Sequence, residues 1–331
     1  MKSSTVTLFA ALFLVVAIFY VSLNYTEHEV PKIRAAADAK LLVLEKGDEI
    51  TKLEIQNSPE KRPIRLERHG KQWVLTEPVQ YPADHRLVEG LVGALTFSVK
   101  ARRFGREKDW QEYGLSKPSL KVVIGTARSK RPRVLAFGDH SPVGNFVYAR
   151  WEPEEEYFLL SADMKRVFER SVYSLREKKI FQFPFSELSR VNIRTFQGEF
   201  EMTKRGGNWL WLEPVSILGE RVANDYVDAV MKAVDGLYVN EFLDAKKKAE
   251  DLNLSLLAPS IALTSQNGKV EILQIGREMK LRDAYYAKKR EENAIFLVAK
   301  PNIDFLFETV ERQAQPPPSP MPSPPASTRA S

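Results

Sequence analysis

The stretch GNWLWLEPV at residues 207–215 decides the fold, because GKQWVLTEPV at residues 70–79 is an earlier version of it. Aligning the two Glu-Pro-Val triplets pairs Trp73 with Trp209, an offset of 136 residues. We interpret the shared positions as structural. They are Trp73, Pro78, Trp209 and Pro214.

The repeat extends beyond this stretch. Tyr-Ala-Arg at Tyr148 returns as Tyr-Ala-Lys at Tyr286, and Gly138 returns as Gly276, both at an offset of 138 residues. A period this long indicates a domain duplication and not a solenoid of short repeats. We therefore expect the two copies to share one fold.

Each copy begins with short apolar runs separated by turn residues, a pattern that predicts consecutive antiparallel strands. Asp84 is predicted to cap a helix whose apolar residues recur at helical spacing, and Asn224 stands at the matching place in the second copy. Asp163 is predicted to open a further helix that runs towards Leu175. The expected fold class is α+β, with two tandem domains that each pack a mostly antiparallel sheet against one or two helices.

The N-terminus predicts a membrane anchor. From Val6 to Leu23 the chain is apolar except for two residues, and as a helix it would span roughly 27 Å, close to a hydrocarbon core. Lys2 precedes the run, which favours a cytoplasmic N-terminus and an extracytoplasmic bulk. A cleaved signal peptide is the alternative, but bulky residues follow the run where a cleavage site needs small ones.

Composition divides the chain further. Proline is frequent after Glu311, and such a segment cannot bury enough apolar surface to become ordered. We predict a start and transmembrane anchor at 1–23, a tether at 24–40, a first repeat at 41–175, a second repeat at 176–311 and a Pro-rich disordered tail at 312–331.

The chain has no cysteine, which excludes thiol nucleophiles, disulfides and Cys-ligated metal sites. Its net charge of +6 favours anionic partners, but the anchor places the bulk away from nucleic acid. Asp84-His85 and Asp139-His140 are the only Asp-His pairs, and the second copy does not repeat them. No phosphate-binding loop or nucleophile elbow is present. We expect no catalytic residue, no cofactor and no metal.

Two features suggest binding. Basic runs at 100–108 and 128–133 could meet anionic lipid or a wall polymer, although a solvated connection between strands is the alternative. Trp73, Trp209 and Trp211 could stack on sugar rings, although tryptophan at strand spacing more often fills a core. The candidate contact residues are Arg102, Arg103, Arg128 and Arg131.

The sequence resembles bacterial proteins of the domain of unknown function 4340 over roughly residues 41–310. The resemblance implies a membrane-anchored envelope protein of the bacterial inner membrane, encoded beside an ABC-type transport system of the kind associated with gliding motility. It implies no catalytic residue. The second copy departs from the pattern at Asn253 and Lys288. The motifs that carry the resemblance are the anchor, Trp-x-x-x-x-Pro, Tyr113-Gly114-Leu115 with Pro118, Phe137-Gly138, Tyr148-Ala149-Arg150 and Leu175-Arg176-Glu177-Lys178.

Three functions follow, from different classes. The first is a non-catalytic accessory or scaffold subunit of an ABC-type envelope system, with transporter subunits as partners. The alternative is a module that binds an anionic or saccharide ligand of the envelope. The third is an envelope hydrolase that uses the Asp-His pairs.

Overall fold

A computed structural model describes residues 39–56, 62–104, 110–154, 156–243 and 249–313. The chain divides into two compact units, with the boundary between Glu177 and Lys178. Each unit contains one antiparallel sheet and few helices, so the α+β class is confirmed in its coarse form.

No helix within those ranges is long and apolar enough to cross a bilayer. The predicted membrane span at 6–23 lies outside the described residues, as does most of the predicted tether and tail.

The first unit has a nine-stranded sheet in the order β4-β3-β2-β1-β6-β7-β8-β9-β5. Its strands are β1 Ile50–Gln56, β2 Ile64–His69, β3 Gln72–Glu77, β4 Tyr81–Pro82, β5 Arg102–Phe104, β6 Leu120–Thr126, β7 Arg133–His140, β8 Phe146–Glu152 and β9 Tyr157–Ser161. Its helices are α1 His85–Phe97, α2 Ala162–Phe168 and α3 Val172–Leu175.

The second unit has an eight-stranded sheet in the order β12-β11-β10-β14-β15-β16-β17-β13. This is the order of the first sheet without its edge strand β4, so the sequence repeat is a repeat of topology. The strands are β10 Leu188–Arg194, β11 Glu199–Arg205, β12 Asn208–Glu213, β13 Glu241–Leu243, β14 Ser260–Ser265, β15 Val270–Met279, β16 Ala284–Lys289 and β17 Ile295–Ala299. The helices are α4 Asn224–Asp235 and α5 Lys300–Gln313.

The long first helix of each unit carries the chain from one edge of the sheet to the other. Helix α1 follows β4 at one edge and leads to β5 at the opposite edge, and α4 connects β12 to β13 in the same way. Val88, Leu91 and Leu95 form the buried face of α1. Because these residues recur at helical spacing, they present one apolar stripe to the core.

Asp84 is the N-cap of α1, and its carboxylate accepts a hydrogen bond of 3.0 Å from the backbone N–H of Leu87. The predicted cap is therefore confirmed. The matching prediction for Asn224 is wrong, because Ala223 occupies the N-cap of α4 and no side chain caps that helix. Asn224 is already the first helical residue, so the chain enters this helix one residue earlier than expected.

The single helix expected from Asp163 to Leu175 is two helices. Ser161 caps α2 by accepting a hydrogen bond from the backbone N–H of Asp163. Ser171 then caps α3 by accepting one from Ser174. Between them Glu169 leaves the helical conformation, with ψ at 68°. A second capping serine thus starts a new helix where we expected the first to continue.

The Tyr-Gly-Leu signature marks a turn that recurs in both units. Gly114 has a φ of +72°, and Asn253 takes the same left-handed conformation in the second unit with a φ of +60°. Glycine adopts this conformation freely, and asparagine is among the residues that tolerate it best. Asn253 departs from the family pattern, but it therefore preserves the conformation of the turn.

Candidate functional site

The loop between β6 and β7 in the first unit is held by its own hydrogen bonds. The backbone N–H of Ser129 donates to the Thr126 hydroxyl over 3.2 Å, and the Ser129 hydroxyl donates to the carbonyl of Arg131 over 2.9 Å. The backbone N–H of Arg128 donates to the Asp48 carboxylate over 3.1 Å, which ties the loop to the segment before β1. These bonds fix the backbone and leave the arginine side chains exposed.

A pocket of about 380 Å³ lies between this loop and the chain that leads into β1. Its lining combines arginine and hydroxyl side chains with apolar and acidic ones. We call it the arginine pocket; it is lined by Leu42, Val43, Leu44, Glu45, Asp48, Ile124, Thr126, Arg128, Ser129, Arg131 and Arg133.

Within the described residues, no ion pair links the guanidinium of Arg128, Arg131 or Arg133 to a carboxylate. The guanidinium of Arg133 lies over the ring of Trp151, 4.0 Å from its centroid. An arginine stacked on an aromatic ring keeps its N–H groups available at the edge. The pocket can therefore offer several donors to an anion.

Asp48 is one of the two acidic residues that line the pocket. Desolvation raises the pKa of Asp48, but hydrogen bonds from the Thr126 hydroxyl and from two backbone N–H groups, with the charge of Arg128, outweigh this effect. The pKa of Asp48 therefore lies below its usual value. The carboxylate is committed to donors within the protein and holds the loop in place.

A second group of cations lies near Arg133. Burial lowers the pKa of Lys100, and the positive charge of Arg103 and of Arg133 lowers it further. The ammonium group of Lys100 also lies over the Phe158 ring, 5.0 Å from its centroid. The two basic runs of the sequence thus approach each other at one end of the first sheet.

The four predicted contact arginines fall into two groups. Arg128 and Arg131 line the arginine pocket together. Arg102 and Arg103 lie on β5 and do not line it. Arg103 donates to both carboxylate oxygens of Glu156, over 2.5 and 3.0 Å, and Arg102 lies over the ring of Phe104. Arg106 and Lys108 of the same run are outside the described residues.

The three predicted aromatic candidates are buried. Trp73 is 1% exposed, and its indole N–H donates to Glu89 over 2.8 Å. Trp209 and Trp211 are 8% and 7% exposed. Trp209 borders a second pocket, of about 470 Å³, beside α4. At these exposures little ring area is left on which a sugar could stack.

The other repeat positions also have structural surroundings. The peptide bonds that precede Pro78 and Pro214 are both cis. Tyr148 stacks on Tyr113 with the ring centroids 4.3 Å apart. Tyr286 is buried, and the guanidinium of Arg277 lies 5.8 Å from its ring centroid.

The aspartates of the two Asp-His pairs have structural surroundings. The Asp84 carboxylate caps α1. The Asp139 carboxylate occupies the space beside Gly114, where a Cβ on that glycine would contact it. Across the described ranges, no group of three or more His, Asp or Glu side chains is placed to hold a metal ion. The envelope-hydrolase hypothesis therefore stays a hypothesis.

A second exposed feature, in the second unit, is one that the sequence did not reveal. Apolar side chains that are 59% to 94% exposed lie at the end of the sheet where β10 and β15 finish and β14, β16 and α5 begin. We call this the apolar end; its residues are Phe196, Leu256, Leu257, Leu281 and Phe305.

Contacts connect the segments of the apolar end. Arg194 donates to the carbonyl of Leu256 over 3.3 Å, and the ring of Phe196 lies 6.0 Å from that of Tyr285. The Tyr285 hydroxyl bonds Asp304 at the start of α5, over 2.9 Å. These contacts connect the segments that carry Phe196, Leu256 and Phe305.

Each unit carries a feature that the other lacks. The loop before β6 reads SKP at residues 116–118, whereas the loop before β14 reads SLLAP at 255–259, which inserts the exposed leucines. Conversely, the β14–β15 turn at 266–269 has no arginine where the β6–β7 loop has three nearby. Val143 in the first unit is the exposed counterpart of Leu281. The scaffold is repeated, but the arginine loop and the inserted leucines are not.

The family described as Domain of unknown function (DUF4340) matches residues 73–255, which is more than half of the chain. This chain belongs to the DUF4340 family. The DUF4340 match begins at Trp73, the first residue of the repeated signature, and ends within the loop that carries the exposed leucines. The resemblance stated from the sequence is confirmed. No curated protein and no solved structure matches the chain.

Proposed function

We propose that this protein is a non-catalytic, membrane-anchored envelope protein that serves as an accessory or scaffold subunit of an ABC-type transport system. The predicted anchor supports the location, and the resemblance to envelope proteins encoded beside such systems supports the role. The observation that carries the proposal is the apolar end of the second unit. A subunit that works by contact needs an exposed surface that a protein neighbour covers.

The exposure of the leucines argues for such a neighbour. Leu257 is 84% exposed and Leu281 is 94% exposed. Covering a leucine side chain fully is worth about 1.5–3 kcal/mol, so a partner that buries several of them gains a useful part of its binding free energy. Because the first unit has Lys117 where the second has two leucines, the duplicated fold itself does not require them.

In-cell photocrosslinking of the full chain tests this proposal. A benzophenone amino acid at Leu281 should form a covalent adduct with a subunit of an ABC-type transporter, identified by mass spectrometry. The same probe at Glu291 should not, because this exposed residue lies in the β16–β17 turn at the opposite end of the sheet. Leu256→Ser with Leu257→Ser should reduce the adduct formed at Leu281.

Adducts at Leu281 that contain no transporter subunit would contradict the proposal. Equal capture from Glu291 would also contradict it, because the apolar end would then have no special role.

The second candidate function is ligand binding in the envelope. The arginine pocket favours it over a purely mechanical role, because three arginines that form no ion pair among the described residues line one cavity. The saccharide version has less support, since Trp73, Trp209 and Trp211 are buried.

A further inference from the structure

The arginine pocket has the composition of a site for an anion that carries an apolar group. Arg128, Arg131 and Arg133 provide guanidinium donors that suit phosphate oxygens. Leu42, Val43 and Leu44 also line the pocket, but Leu42 is buried in the core and Leu44 packs against it, so Val43, at 62% exposed, is its exposed apolar side chain. A free inorganic anion would leave the side chain of Val43 in contact with water.

The charges of the pocket are compatible with an anion. Of the two carboxylates that line it, Asp48 is held by donors of the protein. Glu45 is exposed and can turn towards solvent. Lys100 lies nearby: burial is the main cause of its lowered pKa, the charges of Arg103 and Arg133 act in the same direction, and those of Glu156 and Glu154 act against it.

The position of the pocket along the chain indicates the source of the anion. The first residue that lines it is Leu42, and the predicted membrane span ends at Leu23. The intervening residues can extend at most about 60 Å, and any shorter conformation brings the pocket nearer to the bilayer surface. The second unit, which follows later in the chain, has no arginine loop at the equivalent turn.

We propose that the arginine pocket binds the phosphate headgroup of an anionic phospholipid, with Arg128, Arg131 and Arg133 contacting the phosphate and Val43 contacting the glycerol region. A volume of about 380 Å³ accommodates a headgroup but not a folded polymer. This inference rests on the second candidate function, ligand binding, and not on the accessory role. Binding would hold the first unit against the membrane surface.

Native mass spectrometry of the full chain, released from a neutral detergent, tests the proposal. Phosphatidylglycerol, phosphatidylcholine and inorganic phosphate are titrated separately, and bound adducts are counted. We expect phosphatidylglycerol to bind more tightly than the other two. Arg128→Gln with Arg131→Gln should weaken it by about 25-fold, because each charge near a lipid headgroup is worth roughly a fivefold change in affinity.

The matched control is Arg86→Gln with Arg205→Gln, which removes the same charge from exposed residues outside the pocket. It should leave phosphatidylglycerol binding within about twofold. Arg128→Lys with Arg131→Lys should lose less affinity than the glutamine pair, because the charge remains while the paired donors are lost. All substituted residues are exposed, and a thermal melt of each variant checks that it is folded.

Three outcomes would overturn the proposal. Equal losses from the pocket variant and its control would mean that diffuse charge binds the lipid. Inorganic phosphate bound as tightly as phosphatidylglycerol would assign the pocket to a free anion. Unchanged lipid binding in the Arg128→Gln, Arg131→Gln variant would place the lipid elsewhere on the chain, and none of these results would bear on the crosslinks at Leu281.

Discussion

Gly138 and Gly276 occupy the same place in their units, where a strand passes beneath the turn that follows a short 3-10 helix, Trp110–Tyr113 in the first unit and Glu250–Leu252 in the second. A Cβ on Gly138 would overlap the carbonyl oxygen of Tyr113, and a Cβ on Gly276 would overlap that of Leu252. The turns place Leu115 and Leu254 in the cores. Glycine is therefore required at both positions by the close approach of another backbone.

Replacing Gly138 by alanine should destabilise the first unit by about 1–3 kcal/mol, because the backbone of the turn must move to make room. Urea unfolding followed by tryptophan fluorescence measures the change in midpoint. Gly90→Ala is the control, since a Cβ there meets nothing within 4 Å in α1. It should raise the stability by up to about 1 kcal/mol, because alanine favours a helix over glycine. An unchanged midpoint for Gly138→Ala would mean that the turn does not lie against the strand.

Single residues also show what the sequence could predict about the site. Arg128 and Arg131 were predicted as contacts, and they do line one pocket. Arg103 has the same appearance in the sequence, but Glu156 engages it from a neighbouring part of the sheet. A run of basic residues does not reveal which of them a distant carboxylate will neutralise. The exposure of Leu257 could not be predicted from the sequence either. Leucine is usually buried, and only the fold determines which leucines are exposed.

The two long helices differ at the residue that begins them. Asp84 satisfies a backbone N–H of α1, whereas Ala223 leaves the first turn of α4 without a side-chain acceptor. The element and its buried face were predictable from spacing in both copies. The start of α4 was not, because Asn224 and Asp225 both have side chains that suit a cap. Only the backbone conformation decides which residue precedes the helix.

Reciprocal substitutions at these caps should have opposite effects. Asp84→Ala should cost about 1 kcal/mol of unfolding free energy, and Ala223→Asp should add a similar amount, because Ala223 is exposed and its side chain would reach the free N–H groups. Thermal or urea unfolding of each variant checks the sign. Ala223→Leu is the control, since it adds volume without an acceptor and should not stabilise. A stabilising effect of leucine equal to that of aspartate would contradict the capping explanation.

At the scale of the whole molecule, duplication produced two units that each have a complete sheet. The first has a core built from its own strands and its helices α1 to α3. The sheet order of the second repeats the first, so the long offset in the sequence was a reliable guide to topology. What distinguishes the copies, the arginine pocket and the apolar end, lies in loops. Loops carry no periodic signal, because their residues are not constrained by a repeating backbone.

Because each unit is contiguous in sequence, we expect both to fold when the chain is divided at the boundary between Glu177 and Lys178. Each fragment should show a cooperative urea transition and dispersed amide resonances, since its apolar residues can be buried without the other fragment. A chain divided within the first unit, between α1 and β5, is the control and should not fold. Loss of the cooperative urea transition in either fragment divided at Glu177 and Lys178 would show that one unit needs the other in order to fold.

The lengths of the edge strands limit how another molecule can engage either sheet. In the described residues, β4 has two residues, and β5 and β13 have three each. The longer edge strand β12 is already bonded by the segment at 219–222, where Val222 donates to Trp209 and Gly219 donates to Trp211. These edge strands therefore leave few unpaired backbone N–H and C=O groups within the described residues with which a foreign strand could extend the sheet. A partner must therefore recognise side chains. A peptide that mimics only an extended main chain would compete poorly with that partner for binding.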